Sequence, residues 1–312
     1  MPSTLTLRVP ADFELKRAVC SYGYFLLAPN LWLPAAETLC RPFWLGERIV
    51  GAAVTQPGGR GAALRVACDA ALDRGEQKQV RTGMVRMLRT DEDLAAWNRL
   101  NPAARRRGFG RMFRSPTLFE DLVKTITGCN VTWRNTMSMN RRLVASVGRG
   151  AFPTPAQLAR LTPSRLKQSC RVGYRAGRII NLARAFERGQ IEPAWFEDPV
   201  CEAQELREAL MKLDGFGPYA AANMLQLLGR YDHLPIDTET YRHYCHVTGI
   251  DRPANDKALD PLIHARYDPL APYQFLAYWF EIWRDYERRY GDAWTWDPAT
   301  TGANFTAAVL NK

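Results

Sequence analysis

The chain has 312 residues, 46% of them hydrophobic and 24% charged, and its 42 Lys and Arg outweigh 32 Asp and Glu to leave a formal charge of +10. That balance excludes general disorder, allows one large or two ordinary domains, and favours a polyanionic partner, although charge alone decides little. No run approaches the ~20 apolar residues of a membrane span, the start MPSTLTLRVPADFELKR lacks the apolar core of a signal peptide, and Cys20, Cys40, Cys68, Cys129, Cys170, Cys201 and Cys245 form no CxxC pair. An intracellular chain (cytoplasm, nucleoid or nucleus) with reduced thiols, no side-chain metal site and no membrane partner is expected.

From residue 4 to about 90 the signals are short and β-like: LTLRV, YFLLA and LWLPA around Pro29-Asn30, FWL, RIVGAAV and ALRVACDA, with turn residues such as Gln56-Pro57-Gly58-Gly59 between them. They predict an antiparallel sheet. Asp91 is placed to cap a helix through DEDLAAWNRL, and the basic connector NPAARRRGFGRMFRSP follows, broken by Pro102, Gly108, Gly110 and Pro116. Its Arg105, Arg106, Arg107, Arg111 and Arg114 could meet phosphates, but charge runs in linkers are commonly solvated, and solvent is expected for most of them. Beyond Ser115 the apolar period becomes helical, in LFEDLVKTI, TMSMNRRLVASV, AGRIINLARAF, ELREALMKL, AANMLQLLG and YQFLAYWFEIW. His233, His243, His246 and His264 read as helix-surface or core residues. The expected class is α+β: an N-terminal antiparallel β-sheet domain with helix and connector over 1–110, an all-α bundle over 111–292, and a tail over 293–312.

The stretch Leu213-Asp214-Gly215-Phe216-Gly217-Pro218-Tyr219 lies between two helical patterns. Two glycines around one apolar residue allow a tight turn with positive φ, and Pro218 suits the first turn of the next helix. Such a turn exposes backbone N–H groups that can bind a phosphate oxygen, though a lone GxG favours a plain helix-to-helix turn. Eighteen residues after Tyr219, in LPIDTETYR, Asp237 starts a further helix, where aspartate is a common N-cap.

The hairpin and the Pro235-Ile236-Asp237 element together resemble the helix-hairpin-helix (HhH-GPD) DNA glycosylase superfamily, with Leu213, Gly215, Gly217, Ala221, Pro235 and Asp237 matching its Leu-x-Gly-x-Gly and Pro-x-Asp signature. The resemblance covers roughly 111–290, and the sheet before it is similar to the extra domain of 8-oxoguanine glycosylases and 3-methyladenine glycosylases of type II. It implies an enzyme of base excision repair that flips a base from duplex DNA and hydrolyses its N-glycosidic bond. Gly215, Phe216, Gly217 and Tyr219 would lie on the DNA, and Asp237 would stabilise the cationic sugar of the transition state. Tyr219 stands where bifunctional members carry lysine, so no lyase step is implied; its ring either faces the flipped base or packs the hairpin. Asn130 sits where the family often carries a residue that fills the gap left by the base, and a helix C-cap is its equal alternative. The aromatic run Tyr273, Phe275, Tyr278, Trp279, Phe280 and Trp283 is mostly core by spacing, with Tyr278 a candidate wall of the base pocket.

No iron–sulfur cluster is implied, since no cysteine follows Cys245; the resemblance leaves room only for a monovalent cation on hairpin backbone carbonyls. The implied partner is double-stranded DNA carrying a damaged or modified base, bound by a monomer. Alkylated purines are slightly favoured over 8-oxoguanine or a modified pyrimidine, and a non-catalytic damage-binding module on the same fold is the alternative from another class.

Overall fold

The computed structural model describes residues 1–301. Strands β1 (Thr4–Leu7), β2 (Leu31–Leu33), β3 (Thr38–Leu45), β4 (Arg48–Thr55) and β5 (Leu64–Cys68) form one antiparallel sheet in the order β1-β5-β4-β3-β2. Register in its centre follows from the two-residue turn at Gly46-Glu47, which pairs Leu45 with Arg48 and so sets Phe43 opposite Val50. Alternation then buries Leu39, Phe43, Val50 and Val54 on one face.

The helices are α1 (Leu15–Val19), α2 (Arg74–Leu88), α3 (Ala95–Leu100), α4 (Pro102–Arg107), α5 (Leu118–Gly128), α6 (Trp133–Ser146), α7 (Pro155–Ala159) and α8 (Pro163–Cys170). They continue as α9 (Arg175–Glu187), α10 (Pro193–Phe196), α11 (Ala203–Met211), α12 (Pro218–Leu227), α13 (Thr238–Thr248), α14 (Asp260–Tyr267) and α15 (Gln274–Tyr290). The six helical patterns beyond Ser115 thus all fold as helices, and the class is α+β.

Several local expectations are corrected. YFLLA is not a strand: residues Gly23–Leu26 form a 3-10 turn. The span to residue 90 is not all β, because α2 is a fifteen-residue helix opened by a capping box between Asp73 and Glu76. Asp91 caps nothing; α3 starts at Ala95, whose N–H donates to Asp93 Oδ1 at 2.8 Å. The connector itself contains α4, with Asn101 as its cap and Gly108 closing it in the left-handed region. His233 lies in the loop before Asp237 rather than on a helix, whereas His243 is buried on α13. The tail read over 293–312 starts as structure: Ala293–Thr295 form a 3-10 turn and Trp296 is buried against Phe25 and Trp283. Residues 302–312 lie outside the described residues.

The largest departure concerns the connector arginines. Arg105 and Arg106 are exposed, but Arg111 and Arg114 are buried. Arg114 donates to the carbonyls of Arg86 at 2.9 Å and Leu227 at 2.8 Å, and Arg89 donates to those of Met112 at 2.8 Å, Gln226 at 2.9 Å and Leu227. These guanidinium groups satisfy the last carbonyls of α12, which have no partner inside the helix. Arg111 reaches the carbonyls of Arg89 and Glu92 and the carboxylate of Asp12.

A second buried polar cluster ties α5 to the sheet. Glu120 accepts from Arg41 of β3, and Lys124 Nζ lies 2.7 Å from its Oε1. Lys124 is enclosed between the rings of Tyr24 and Phe152. Next to it Asp121 takes Arg86 at 2.7 Å and the Ser115 N–H at 2.8 Å. Burial by itself would raise the Glu120 carboxyl, but Arg41 and Lys124 override it and hold it below its ordinary value.

Candidate active site

The hairpin joins α11 to α12. Gly215 has φ +90°, and a Cβ there would meet Arg178 Cδ at 2.4 Å, so this position requires glycine twice over. The positive φ of the expected tight turn falls on Gly215 alone: Gly217 is the N-cap of α12 with φ −91° and ψ −173°, and a Cβ on it would meet nothing within 4 Å. Phe216 is corrected too. Its side chain is buried, and its N–H donates to Leu213 O at 3.1 Å, so it pins the hairpin to the bundle instead of facing outward. What remains outward is the exposed Gly217-Pro218 edge and the first N–H groups of α12, which have no intrahelical acceptor.

Asp237 is the N-cap of α13, as its position after Pro235 suggests. Its Oδ1 accepts from Glu239 N at 3.0 Å, Thr240 N at 3.0 Å and Thr240 Oγ1 at 3.2 Å, and its own N–H donates to Thr240 Oγ1 at 3.1 Å. Oδ2 accepts from none of the described residues. Burial raises the carboxyl above its ordinary value, against the pull of the Thr240 and Glu239 N–H groups and the Thr240 hydroxyl. Glu239 is neutralised by Arg242, 2.6 Å away, and accepts from Tyr286 at 2.8 Å.

Phenols lie near enough to this carboxylate to feel its charge, and an indole packs on one of them. Tyr219 is half-buried, and burial followed by the nearby Asp237 charge pushes its phenol well above the ordinary range; Tyr22 is raised by the same two causes. Tyr22 packs on Trp279 with ring centres 5.1 Å apart and donates to Asn223 Oδ1 at 2.6 Å, while Trp279 Nε1 donates to the Ser21 carbonyl at 2.9 Å. Tyr278 is placed otherwise than expected. It is 2% exposed, with its hydroxyl 2.7 Å from Thr240 Oγ1, so the half-buried aromatic at this turn of α15 is Trp279.

Asn130 follows α5 in the left-handed region, with φ 51°, and is exposed. Its carbonyl accepts from Arg175 at 3.2 Å, and the same guanidinium holds the carbonyls of Ile126 and Cys129. Arg175 and Arg178 both lie over the ring of Tyr174, which is 57% exposed, and Arg178 also approaches Asp214 of the hairpin. A continuous ridge therefore runs from Asn130 through Tyr174 to Gly215.

The geometry adds Tyr22, Thr240, Asn223 and Tyr174 to the residues singled out from sequence, and brings Trp279 forward from the aromatic run. Only Thr240 had a local signal, as the N3 partner of a capping Asp. Tyr22 reaches the site from the far end of the chain, which no local pattern reports. A cavity of about 700 Å³ between β3 and α5, walled by Phe43, Trp44, Phe119 and Phe152, includes none of the expected site residues. Among the described residues no cluster of three or more His, Cys, Asp or Glu is placed to hold a metal ion, and no helix is long and apolar enough to cross a membrane.

The profile of HhH-GPD superfamily base excision DNA repair proteins matches residues 123–263, which include the hairpin and Asp237. No curated protein matches at the sequence level. Among solved structures the chain is similar to a 3-methyladenine DNA glycosylase from Archaeoglobus fulgidus, with TM-score 0.65, 16% identity, and coverage of 93% of this chain and 99% of that one. It is also similar to an 8-oxoguanine glycosylase/lyase from Clostridium acetobutylicum, with TM-score 0.63, 16% identity, and coverage of 89% and 98%. At these identities the structures show the shared fold, sheet and bundle alike. The match is carried by the segment that builds the hairpin and the aspartate, and over residues 123–263 the chain is similar to the HhH-GPD superfamily of base excision DNA repair proteins.

Proposed function

We propose that this protein is a monofunctional DNA glycosylase that acts as a monomer on double-stranded DNA, flips out an alkylated purine and hydrolyses its N-glycosidic bond without a cofactor. The observation that carries the reading is Asp237: three donors hold Oδ1, Oδ2 accepts from none of the described residues, and Tyr219 and Tyr22, the latter packed on Trp279, lie near enough to feel its charge. A carboxylate so fixed stabilises positive charge growing on a sugar and orients a water toward it. Ring faces beside it suit a base that is itself cationic, as alkylated purines are. 8-Oxoguanine is the second reading, favoured by the solved 8-oxoguanine glycosylase/lyase that shares sheet and bundle. Excision from a panel of duplexes separates the two.

The mechanism needs no amine. Lys124 is sealed in the core beside Glu120, and Tyr219 cannot form a Schiff base. Turnover in borohydride is therefore expected to trap no protein–DNA adduct, and the product strand should stay intact until treated with alkali. An adduct that disappears in Lys212→Ala, at the exposed end of α11, would overturn the hydrolytic reading.

The ridge Asn130–Tyr174–Gly217 would be the DNA face, with hairpin N–H groups on phosphate and Asn130 or Tyr174 at the vacated base position. Gly217→Ala tests it cleanly, because the structure has room for the methyl group and an ordinary φ. Its melting temperature should be unchanged, and its affinity for every duplex should fall together, by about 10-fold per lost charge-assisted contact. Gly215→Ala should instead lower stability by ~1–2 kcal/mol from backbone strain, with the Arg178 clash in addition. An affinity loss confined to one lesion would place the hairpin in the base pocket.

A further inference from the structure

Thr240 Oγ1 is the crossing point of four polar groups. It accepts from the N–H of Asp237 at 3.1 Å, lies 3.2 Å from Asp237 Oδ1, 3.4 Å from the Pro235 carbonyl, and 2.7 Å from the hydroxyl of Tyr278. Both side chains are closed to solvent, at 1% and 2% exposure, so water does not compete for these bonds. A threonine hydroxyl has one hydrogen and two lone pairs. The Asp237 N–H fills one lone pair. If the Tyr278 O–H fills the other, the single threonine hydrogen has only Asp237 Oδ1 and the more distant Pro235 carbonyl left to meet.

We propose that Tyr278 is a positioning residue that acts on Asp237 through the Thr240 hydroxyl, turning the threonine hydrogen onto Oδ1 and leaving Oδ2 as the working oxygen. The inference rests on the reading of Asp237 as the catalytic carboxylate and assigns that site a buried support from α15. Burial keeps the Tyr278 phenol protonated, with the Asp237 charge adding to the effect, so it stays a donor across the working pH range. It also explains why an aromatic residue predicted to wall a pocket turns its polar end into the core. Removing the phenol hydroxyl frees a lone pair on Thr240, weakens the polarisation of its O–H, and leaves less support for the ionised form of a carboxyl that burial already disfavours. Other titratable groups that act on Asp237 are Glu239 on its own helix, held by Arg242, and the phenols of Tyr22, Tyr219, Tyr241 and Tyr286. His243, whose ring lies 6.3 Å from that of Tyr278, faces Glu281 on α15.

The test is a carboxyl-¹³C aspartate NMR titration of the full chain, with the Asp237 resonance assigned by its absence in Asp237→Asn. Tyr278→Phe is expected to raise the Asp237 pKa by about half to one pH unit, the size of one modest hydrogen bond. Thr240→Val should raise it further, and Thr240→Ser should keep the wild-type titration because the hydroxyl remains. In single-turnover base release, Tyr278→Phe should lose activity preferentially on the acid side, by about 3–10-fold. An Asp237 titration that is the same in Tyr278→Phe and wild type overturns the proposal, and should Thr240→Val fail to fold, Tyr278→Phe alone decides. Base release that persists in Asp237→Asn, with the titration still shifted in Tyr278→Phe, would overturn the glycosylase reading and leave the positioning contact standing.

Discussion

Replacing Asp237 with asparagine is expected to reduce base release by about 10²–10³-fold or more while the protein stays folded and binds duplex DNA. The two effects separate because the residue has two oxygens with different duties. Asparagine caps a helix as well as aspartate does, so its amide oxygen can keep the N–H groups of Glu239 and Thr240. What it cannot supply is negative charge at the Oδ2 position. The stability of the variant follows from the raised carboxyl. In the unfolded chain the aspartate ionises near its ordinary value of ~3.9, and in the folded chain it ionises higher, so above the folded value its charge costs stability. Asparagine carries no such cost. The melting temperature of the variant should therefore be unchanged or raised at neutral pH, and any gain over wild type should vanish as pH falls below the ordinary aspartate value. The same shift moves the acid limb of base release upward from the ordinary aspartate value. Near-normal excision by the variant, measured on the duplex from which wild type releases base best, would remove Asp237 from the chemistry.

Glu120→Gln is expected to lower stability by ~3–5 kcal/mol, the largest single-residue effect outside the site. The carboxylate lies between Arg41 and Lys124, and an amide there leaves two buried cations facing a neutral group. Lys124→Met should cost far less, since the Arg41–Glu120 pair survives and an apolar chain fits between Tyr24 and Phe152. Because Glu120 is held below its ordinary value, its contribution is complete above the unfolded value of ~4.3 and fades as pH falls through the folded one. Denaturant midpoints of wild type and Glu120→Gln should thus differ most near neutrality and converge in acid. Equal midpoints at pH 7 would show that the cluster is solvated in solution.

How much of this was legible in the sequence depended on how local the cause was. The hairpin and Asp237 could be read because turn glycines, an N1 proline and an N-cap leave their marks within a few residues of where they act. The capping box at Asp73 was equally local, yet α2 was hidden by Gly75, Gly83 and the β-branched Val80, Thr82 and Val85, which weaken its helical period. Arg114 and Arg111 looked like linker charge, and only the chain's return at α12, 113 residues on from Arg114, turns one of them into a helix cap. Tyr278 could be placed on a helix face from spacing, but whether its hydroxyl met a base or a threonine was decided by α13 packing against α15. The Tyr22–Asn223 bond spans 201 residues, and no window of sequence contains it.

That bond, the Ser21 carbonyl under Trp279 and the Arg89 fork on the end of α12 share one consequence for anyone who would cut this protein down. A fragment that begins at residue 111 retains the hairpin and the aspartate, but it discards the tyrosine wall, the acceptor for the indole and one of the two guanidinium groups that close α12. The amino-terminal third is thus a component of the proposed site and no mere appendage. Transplanting the hairpin and aspartate into another bundle would carry over the signature and leave behind much of the machinery that gives it a shape.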